Sequence, residues 1–260
     1  MAPIIGISLA FEGTAPQVGS KPECFASFPY YALRKNYFDA VTAAGGLPIG
    51  IPHRVENIDD YLNVISGCLI PGGDVSFDPK WYPPDDESVF TDSPRFAFDS
   101  QFVPKALARG MPFLGICMGM QVMAGLHGAR LSSDIRRHVR ESHGQVEPLQ
   151  HRDRTARHGV EVAEGSLLHR LAGSSFTVNT YHREGVTDPG SSGLTVTAKA
   201  PDGVIEAIEL PQHRFALGVQ WHPEYLDHAP ENLKILRGFV DAAREYQVSH
   251  NTPHAAPRVI

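Results

Sequence analysis

The spacing of apolar residues changes once along the chain, near residue 160. Before that point, short apolar runs alternate with stretches of helical period. Ile4 to Leu9 is a β-rich run, and a loop containing Pro, Gly and Ser follows from about Glu12 to Phe28. Tyr30, Leu33, Tyr37, Val41 and Ala44 recur at helical intervals and stop at Gly45-Gly46. Leu47 to Ile51 reads as the second strand. Asn57 to Ser66 reads as the second helix, with Asn57 as its N-cap. Cys68, Leu69 and Ile70 form a third strand that breaks at Pro71-Gly72-Gly73. A polar, proline-rich loop is expected over Pro79 to Pro94, and a helix over Phe102 to Ala108. Phe113 to Ile116 has the composition of a buried strand, and an apolar stretch runs on from it to Leu126.

From about Val160 the period falls to two. Phe176 to Val178 is one such run. Leu194 to Ala198 and Val204 to Ile208 form a pair around the turn Pro201-Asp202-Gly203. Phe215 to Trp221 is a further strand, and Asn232 to Ala243 is a closing amphipathic helix. Residues Val248 to Ile260 lack periodicity and are expected to be disordered. Strands alternating with helices imply a parallel sheet covered on both faces. The expectation is therefore an α/β fold, doubly wound and mostly parallel, with an antiparallel portion in the C-terminal half. No linker divides the chain, so residues 1–247 read as a single domain.

Candidate chemistry begins at Gly115-Ile116-Cys117-Met118-Gly119, a G-x-C-x-G between a strand and a helix. This is the pattern of a nucleophile elbow with sulfur in place of the serine oxygen. The tip residue would stand exposed above the carboxyl end of a parallel strand, where ligands bind in open α/β sheets. It would also meet the positive end of a helix, which favours an anion. Most lone cysteines are buried and structural. With 24 glycines and three cysteines in 260 residues, however, chance supplies roughly 0.03 such patterns, and Cys117 is read as a nucleophile.

A thiol in acyl transfer needs a histidine base, and that histidine needs an orienting carboxylate. The chain has 13 histidines, so a histidine alone says little. His222-Pro223-Glu224 says more because it ends the apolar strand Leu217-Gly218-Val219-Gln220-Trp221. Pro223 biases His222 toward extended backbone, and residues two apart on extended chain share a side. Glu224 can then hold the ring of His222. An oxyanion hole requires two backbone N–H groups. Met118, directly after the nucleophile, supplies one candidate, and Gly73 at the end of the neighbouring strand supplies the other.

Composition narrows the alternatives. The net charge of -6 argues against a nucleic-acid partner, and no apolar run approaches a membrane span. Three scattered cysteines (Cys24, Cys68, Cys117) do not make a disulfide framework, and the apolar N-terminus lacks a basic segment and a cleavage site. A cytoplasmic protein is expected. His138, His143, His151 and His158 lie among arginines without metal-ligand spacing, so a solvated basic loop is expected there and no metal.

Taken in order, Pro71-Gly72-Gly73, Gly115 to Gln121 and Gly218 to Glu224 resemble the class I glutamine amidotransferase superfamily. Within it the chain is most similar to γ-glutamyl-γ-aminobutyrate hydrolases. Ala43 to Pro48, Val178-Asn179 with His182, and Pro201 to Ala207 add to the likeness. The resemblance covers about residues 4 to 243. It implies a flavodoxin-like sheet, a triad of Cys117, His222 and Glu224, and hydrolysis of a γ-glutamyl amide through a thioester without metal or organic cofactor. It also implies that Gln121 holds the glutamyl part and that Gly72, His182 and Arg183 lie near the substrate. Two positions depart from the family: Met118 stands where arginine is frequent, and Arg183-Glu184 where a neutral amide is. The second departure leaves the leaving amine open between a carboxylate-bearing one and a cationic one. A small-molecule substrate is the expected partner, with a homodimer as a further expectation. A glutaminase subunit feeding a synthase, a folate-type γ-glutamyl peptidase and a non-catalytic or metal-binding protein are the competing readings.

Overall fold

A computed structural model describes residues 1–12, 29–73, 77–86, 93–138, 157–227 and 229–250. The strands are β1 (Ile4–Ser8), β2 (Ala10–Glu12), β3 (Tyr30–Ala32), β4 (Leu47–Ile51), β5 (Gly67–Ile70), β6 (Phe113–Ile116), β7 (Arg130–Ser132), β8 (Arg157–Val162), β9 (Ser175–Asn179), β10 (Gly185–Asp188), β11 (Thr195–Lys199), β12 (Ile205–Glu209) and β13 (Ala216–Val219). The helices are α1 (Lys35–Ala43), α2 (Ile58–Val64), α3 (Pro94–Ala108), α4 (Met118–Leu126), α5 (Leu167–Ala172) and α6 (Pro230–His250). Nine strands form one sheet in the order β4-β1-β5-β6-β13-β12-β11-β8-β9. The first five are mutually parallel. Ranked by sequence, their order is 2-1-3-4-5, that of a flavodoxin-like doubly wound sheet. The remaining four strands extend the sheet antiparallel from β13.

Alternation along the parallel strands feeds two cores. Cys68 and Ile70 of β5 pack with Ile58 and Leu62 of α2 and with Phe98, Phe102 and Val103 of α3. Leu69, on the opposite face, packs with Val41 of α1 and with Leu236, Phe239 and Val240 of α6. Each fully buried side chain of this size contributes about 1.5–3 kcal/mol, so the faces are fixed by the period-two pattern.

Several boundaries differ from the sequence expectation. Helix α1 begins at Lys35, because Tyr30 to Ala32 pair with β2 instead. Asn57 precedes α2 but makes no side-chain cap; its Nδ2 donates to Asp60 Oδ2 (3.4 Å), and a 3-10 turn over Val55–Asn57 leads in. The proline-rich segment holds a 3-10 turn, Pro79–Trp81, capped by Asp78, with Trp81 buried. Helix α3 starts at Pro94, earlier than expected, because the Ser93 hydroxyl accepts from Phe96 N. The closing helix runs on to His250, so Val248 to His250 are helical where disorder was expected. His143, His151, most of the expected loop over 12–28 and residues 251–260 lie outside the described residues. No helix among the described residues is long and apolar enough to cross a membrane.

Candidate active site

Three adjacent parallel strands end at one place. β5 runs into Pro71-Gly72-Gly73, β6 into Cys117, and β13 through Gln220 and Trp221 into His222. Cys117 has φ 51° and ψ -104° and is the one non-glycine residue with positive φ among the described residues. A strand that turns at once into α4 with nothing between imposes this strained backbone. Its N–H donates to Val219 O at 2.7 Å, which locks the elbow to β13. Gly119 is required beneath it, since a Cβ there would fall 2.1 Å from Ile70 O.

His222 is buried and held on every side. Its Nδ1 lies 2.7 Å from Glu224 Oε1, as the spacing across Pro223 anticipates. Its backbone N–H donates to Asn179 Oδ1 (2.9 Å), and Asn179 Nδ2 donates to His222 O (2.8 Å). Tyr181 meets the ring edge-to-face at 5.6 Å. Burial alone would push the ring's pKa down. The Glu224 carboxylate, with the hydrogen bond and charge of Cys117, outweighs burial and raises it to about 10. Since Glu224 occupies Nδ1, the ring presents Nε2 to Cys117. At neutral pH the site therefore holds an imidazolium between the sulfur of Cys117 and a carboxylate.

The Pro71–Gly73 turn closes over this pair. A Cβ on Gly72 would stand 2.5 Å from His222 Cε1, so only glycine fits. Gly72 N–H donates to the Tyr37 hydroxyl (3.0 Å), which also lies 3.4 Å from His222 Nδ1. Burial, then the Glu224 charge, holds the Tyr37 phenol well above its usual pKa, so it stays neutral. Gly73 N–H and Met118 N–H make no hydrogen bond among the described residues. Met118 is the first residue of α4, where an amide has no intrahelical acceptor.

The substrate-side residues fall out differently. Gln121, on the first turn of α4, is buried. Its Nε2 donates to Glu184 O (3.0 Å) and Gln220 Oε1 (3.2 Å), which uses both of its donors within the protein. The His182 side chain is 1% exposed, with Nδ1 3.1 Å from Glu184 O and Nε2 3.4 Å from Glu206 Oε1. Both side chains are buried and bound within the protein. Arg183 points outward, 60% exposed, with Nε 3.6 Å from Asp134 Oδ2. Glu184 turns the other way and accepts from Tyr82 Oη at 3.0 Å. The adjacent pair thus engages different partners, Asp134 and Tyr82.

Sequence reasoning overlooked Tyr37, which it took only as a helix position, and the helical pair Arg95 and Asp99. An i, i+4 pair of opposite charges on the apolar face of α3 was the available signal. No group of three or more His, Cys, Asp and Glu side chains suited to a metal ion occurs among the described residues.

Comparison with known proteins places the chain in a family. The peptidase C26 family model matches residues 3–224, from β1 through Glu224. The chain is 32% identical to the γ-glutamyl-γ-aminobutyrate hydrolase PuuD of Escherichia coli, over 82% of this chain and 87% of that one. It is 31% identical to a glutamine amidotransferase-like protein of Rickettsia prowazekii, over 85% and 92%. Among solved structures, the glutaminase domain of Trypanosoma brucei CTPS, with bound acivicin, superposes with a TM-score of 0.57 at 16% identity, covering 94% of each chain. The matching family model, covering most of the chain, and the relatives above 30% identity make this chain a member of the peptidase C26 family, within the class I glutamine amidotransferase-like proteins.

Proposed function

We propose that this hydrolase cleaves the γ-glutamyl amide bond of a γ-glutamyl-amine, with Cys117 as nucleophile, and releases glutamate and the amine. One observation carries the reading: Cys117 stands on a strained strand-to-helix elbow beside an imidazolium that Glu224 holds at 2.7 Å. Strain of this kind persists where a side chain must be presented for reaction. The relatives named as γ-glutamyl-γ-aminobutyrate hydrolases support the choice of bond.

In this mechanism Cys117 Sγ, its proton held by His222 Nε2, attacks the side-chain amide carbon of the glutamyl group, and a C–S bond forms. The carbonyl electrons move onto oxygen, where Gly73 N–H and Met118 N–H stabilise the oxyanion. As the tetrahedral intermediate collapses, His222 Nε2 gives its proton to the leaving amine, the C–N bond breaks, and a γ-glutamyl thioester remains. Neutral His222 then takes a proton from water, the resulting hydroxide attacks the thioester, and thiol and glutamate separate. Glu224 keeps Nδ1 protonated and Nε2 facing the reaction throughout. No metal or organic cofactor takes part in any of these steps.

The test is a panel of γ-glutamyl amides with anionic, cationic and neutral leaving amines, followed by free glutamate without any added protein. Steady release from at least one member is expected. Release that appears only on mixing with a synthase would favour an ammonia-supplying subunit instead.

A further inference from the structure

We propose that Arg95, braced by Asp99, is a positioning residue that sets the orientation of the Gly72–Gly73 peptide and so aims Gly73 N–H at the oxyanion. The proposal rests on the reading of this site as an acyl-transfer site, and extends it to a residue that touches neither substrate nor triad.

Arg95 lies on the first turn of α3 and is 3% exposed. Its Nη2 donates to Pro71 O at 2.6 Å, its Nη1 to Gly72 O at 3.3 Å, and its Nε to Asp99 Oδ2 at 3.3 Å. Asp99 is fully buried and takes a second hydrogen bond, from Ser8 Oγ on β1, at 2.6 Å. One guanidinium thus grips two successive carbonyls, and its own orientation is fixed from the central sheet. A planar fork makes this possible; a lysine ammonium could not match it.

The consequence follows from peptide geometry. In a trans peptide, C=O and N–H point in opposite directions, and no cis peptide occurs among the described residues. Holding Gly72 O toward Arg95 therefore turns Gly73 N–H away from Arg95; His222 lies beside this turn, so close that a Cβ on Gly72 would stand 2.5 Å from its Cε1. The preceding peptide is held at both ends, Pro71 O by Arg95 and Gly72 N–H by Tyr37. Among the described residues, the peptide between the two glycines is held only at its oxygen. Glycine on both sides makes rotation of that plane easy, so loss of Arg95 removes the one described contact that opposes a flip presenting a carbonyl to the oxyanion. A buried ion pair is a weak stabiliser in general, which fits a role in orientation better than one in stability.

Two reactions of Cys117 separate this role from simple support of the fold. Acylation by p-nitrophenyl acetate passes through a tetrahedral oxyanion; alkylation by iodoacetamide does not. The variant is Arg95→Met with Asp99→Asn, which leaves no unpaired buried charge; Arg95→Lys serves as a milder second variant. Acylation in the double variant should fall about 10²- to 10³-fold, as for loss of one oxyanion donor, while alkylation stays within about threefold. Arg95→Lys should show a smaller loss, again confined to acylation. Acylation that is unchanged, or that falls in parallel with alkylation in Arg95→Lys, would overturn the proposal. So would wild-type protein whose Cys117 alkylates but cannot be acylated. Because the ester needs no γ-glutamyl group, wild-type protein that is acylated yet releases no glutamate from any amide would refute the proposed substrate and leave this inference standing.

Discussion

Asn179 holds His222 by its backbone, accepting from its N–H at 2.9 Å and donating to its carbonyl at 2.8 Å. The last residue of β9, on the antiparallel extension, thereby fixes a histidine delivered by the parallel half of the sheet. Asn179→Ala should leave two buried backbone groups unsatisfied, at about 1–3 kcal/mol each. Turnover should drop about 10²-fold as His222 drifts from Cys117. Urea unfolding and kcat, measured on one preparation, check both. Unchanged kcat in a destabilised Asn179→Ala protein would show that the pair matters only to folding.

The elbow strain at Cys117 gives a stability prediction independent of any substrate. Alanine at φ 51° keeps the Cβ penalty and glycine does not. Cys117→Gly should therefore be more stable than Cys117→Ala, by about 1–3 kcal/mol, with both lacking turnover. Thermal unfolding of the two variants decides it, and a lower Tm for Cys117→Gly would mean that the elbow is not strained.

The titration of His222 has a definite sign. Its folded-state pKa, about 10, lies above the ordinary 6.5. The stability it contributes is thus complete below pH 6.5 and disappears as pH rises through 10. Glu224→Gln removes the main influence that raises it. Between pH 6.5 and 10 the wild type should lose more Tm than Glu224→Gln does, and the ring nitrogens should show an imidazolium by NMR to higher pH in the wild type. Equal losses of Tm would contradict the ion pair.

For the leaving amine, the exposed position of Arg183 argues against a grip on a distal carboxylate. An ion pair 60% exposed at the arginine contributes little. Arg183→Ala should change kcat/KM by less than about threefold, equally for γ-glutamyl-γ-aminobutyrate and a neutral γ-glutamyl-alkylamide. A loss confined to the carboxylate-bearing substrate would restore Arg183 as a reader of the leaving group.

The parallel half of the fold was legible because buried parallel strands leave short runs without polar residues, such as Phe113 to Ile116, bounded by turn residues such as Pro112. Cys117, His222 and Glu224 could be found because each stands at a strand end and their spacing is dictated by local backbone. Strands β7, β8 and β10 were missed because they are short or carry few apolar residues, and α5 because its six residues are too few for a helical period to show. Tyr37 and Arg95 escaped for a related reason. Their roles consist of contacts to Gly72 and Pro71, 35 and 24 residues away; no local pattern encodes those contacts, and only the i, i+4 pairing of Arg95 with Asp99 was open to reading. The contacts of Gln121 with Gln220 and Glu184, and of His182 with Glu206, form only on folding, so the burial of these two side chains could not be read from the sequence.

The central claim, a covalent glutamyl thioester on Cys117, is tested most directly by acid-quenching the protein during turnover of a γ-glutamyl amide and mapping the adduct by mass spectrometry. The account predicts a glutamyl group on the peptide that carries Cys117, absent from Cys117→Ala, and discharged by hydroxylamine. Turnover in Cys117→Ala, or an adduct on a different residue, would contradict it.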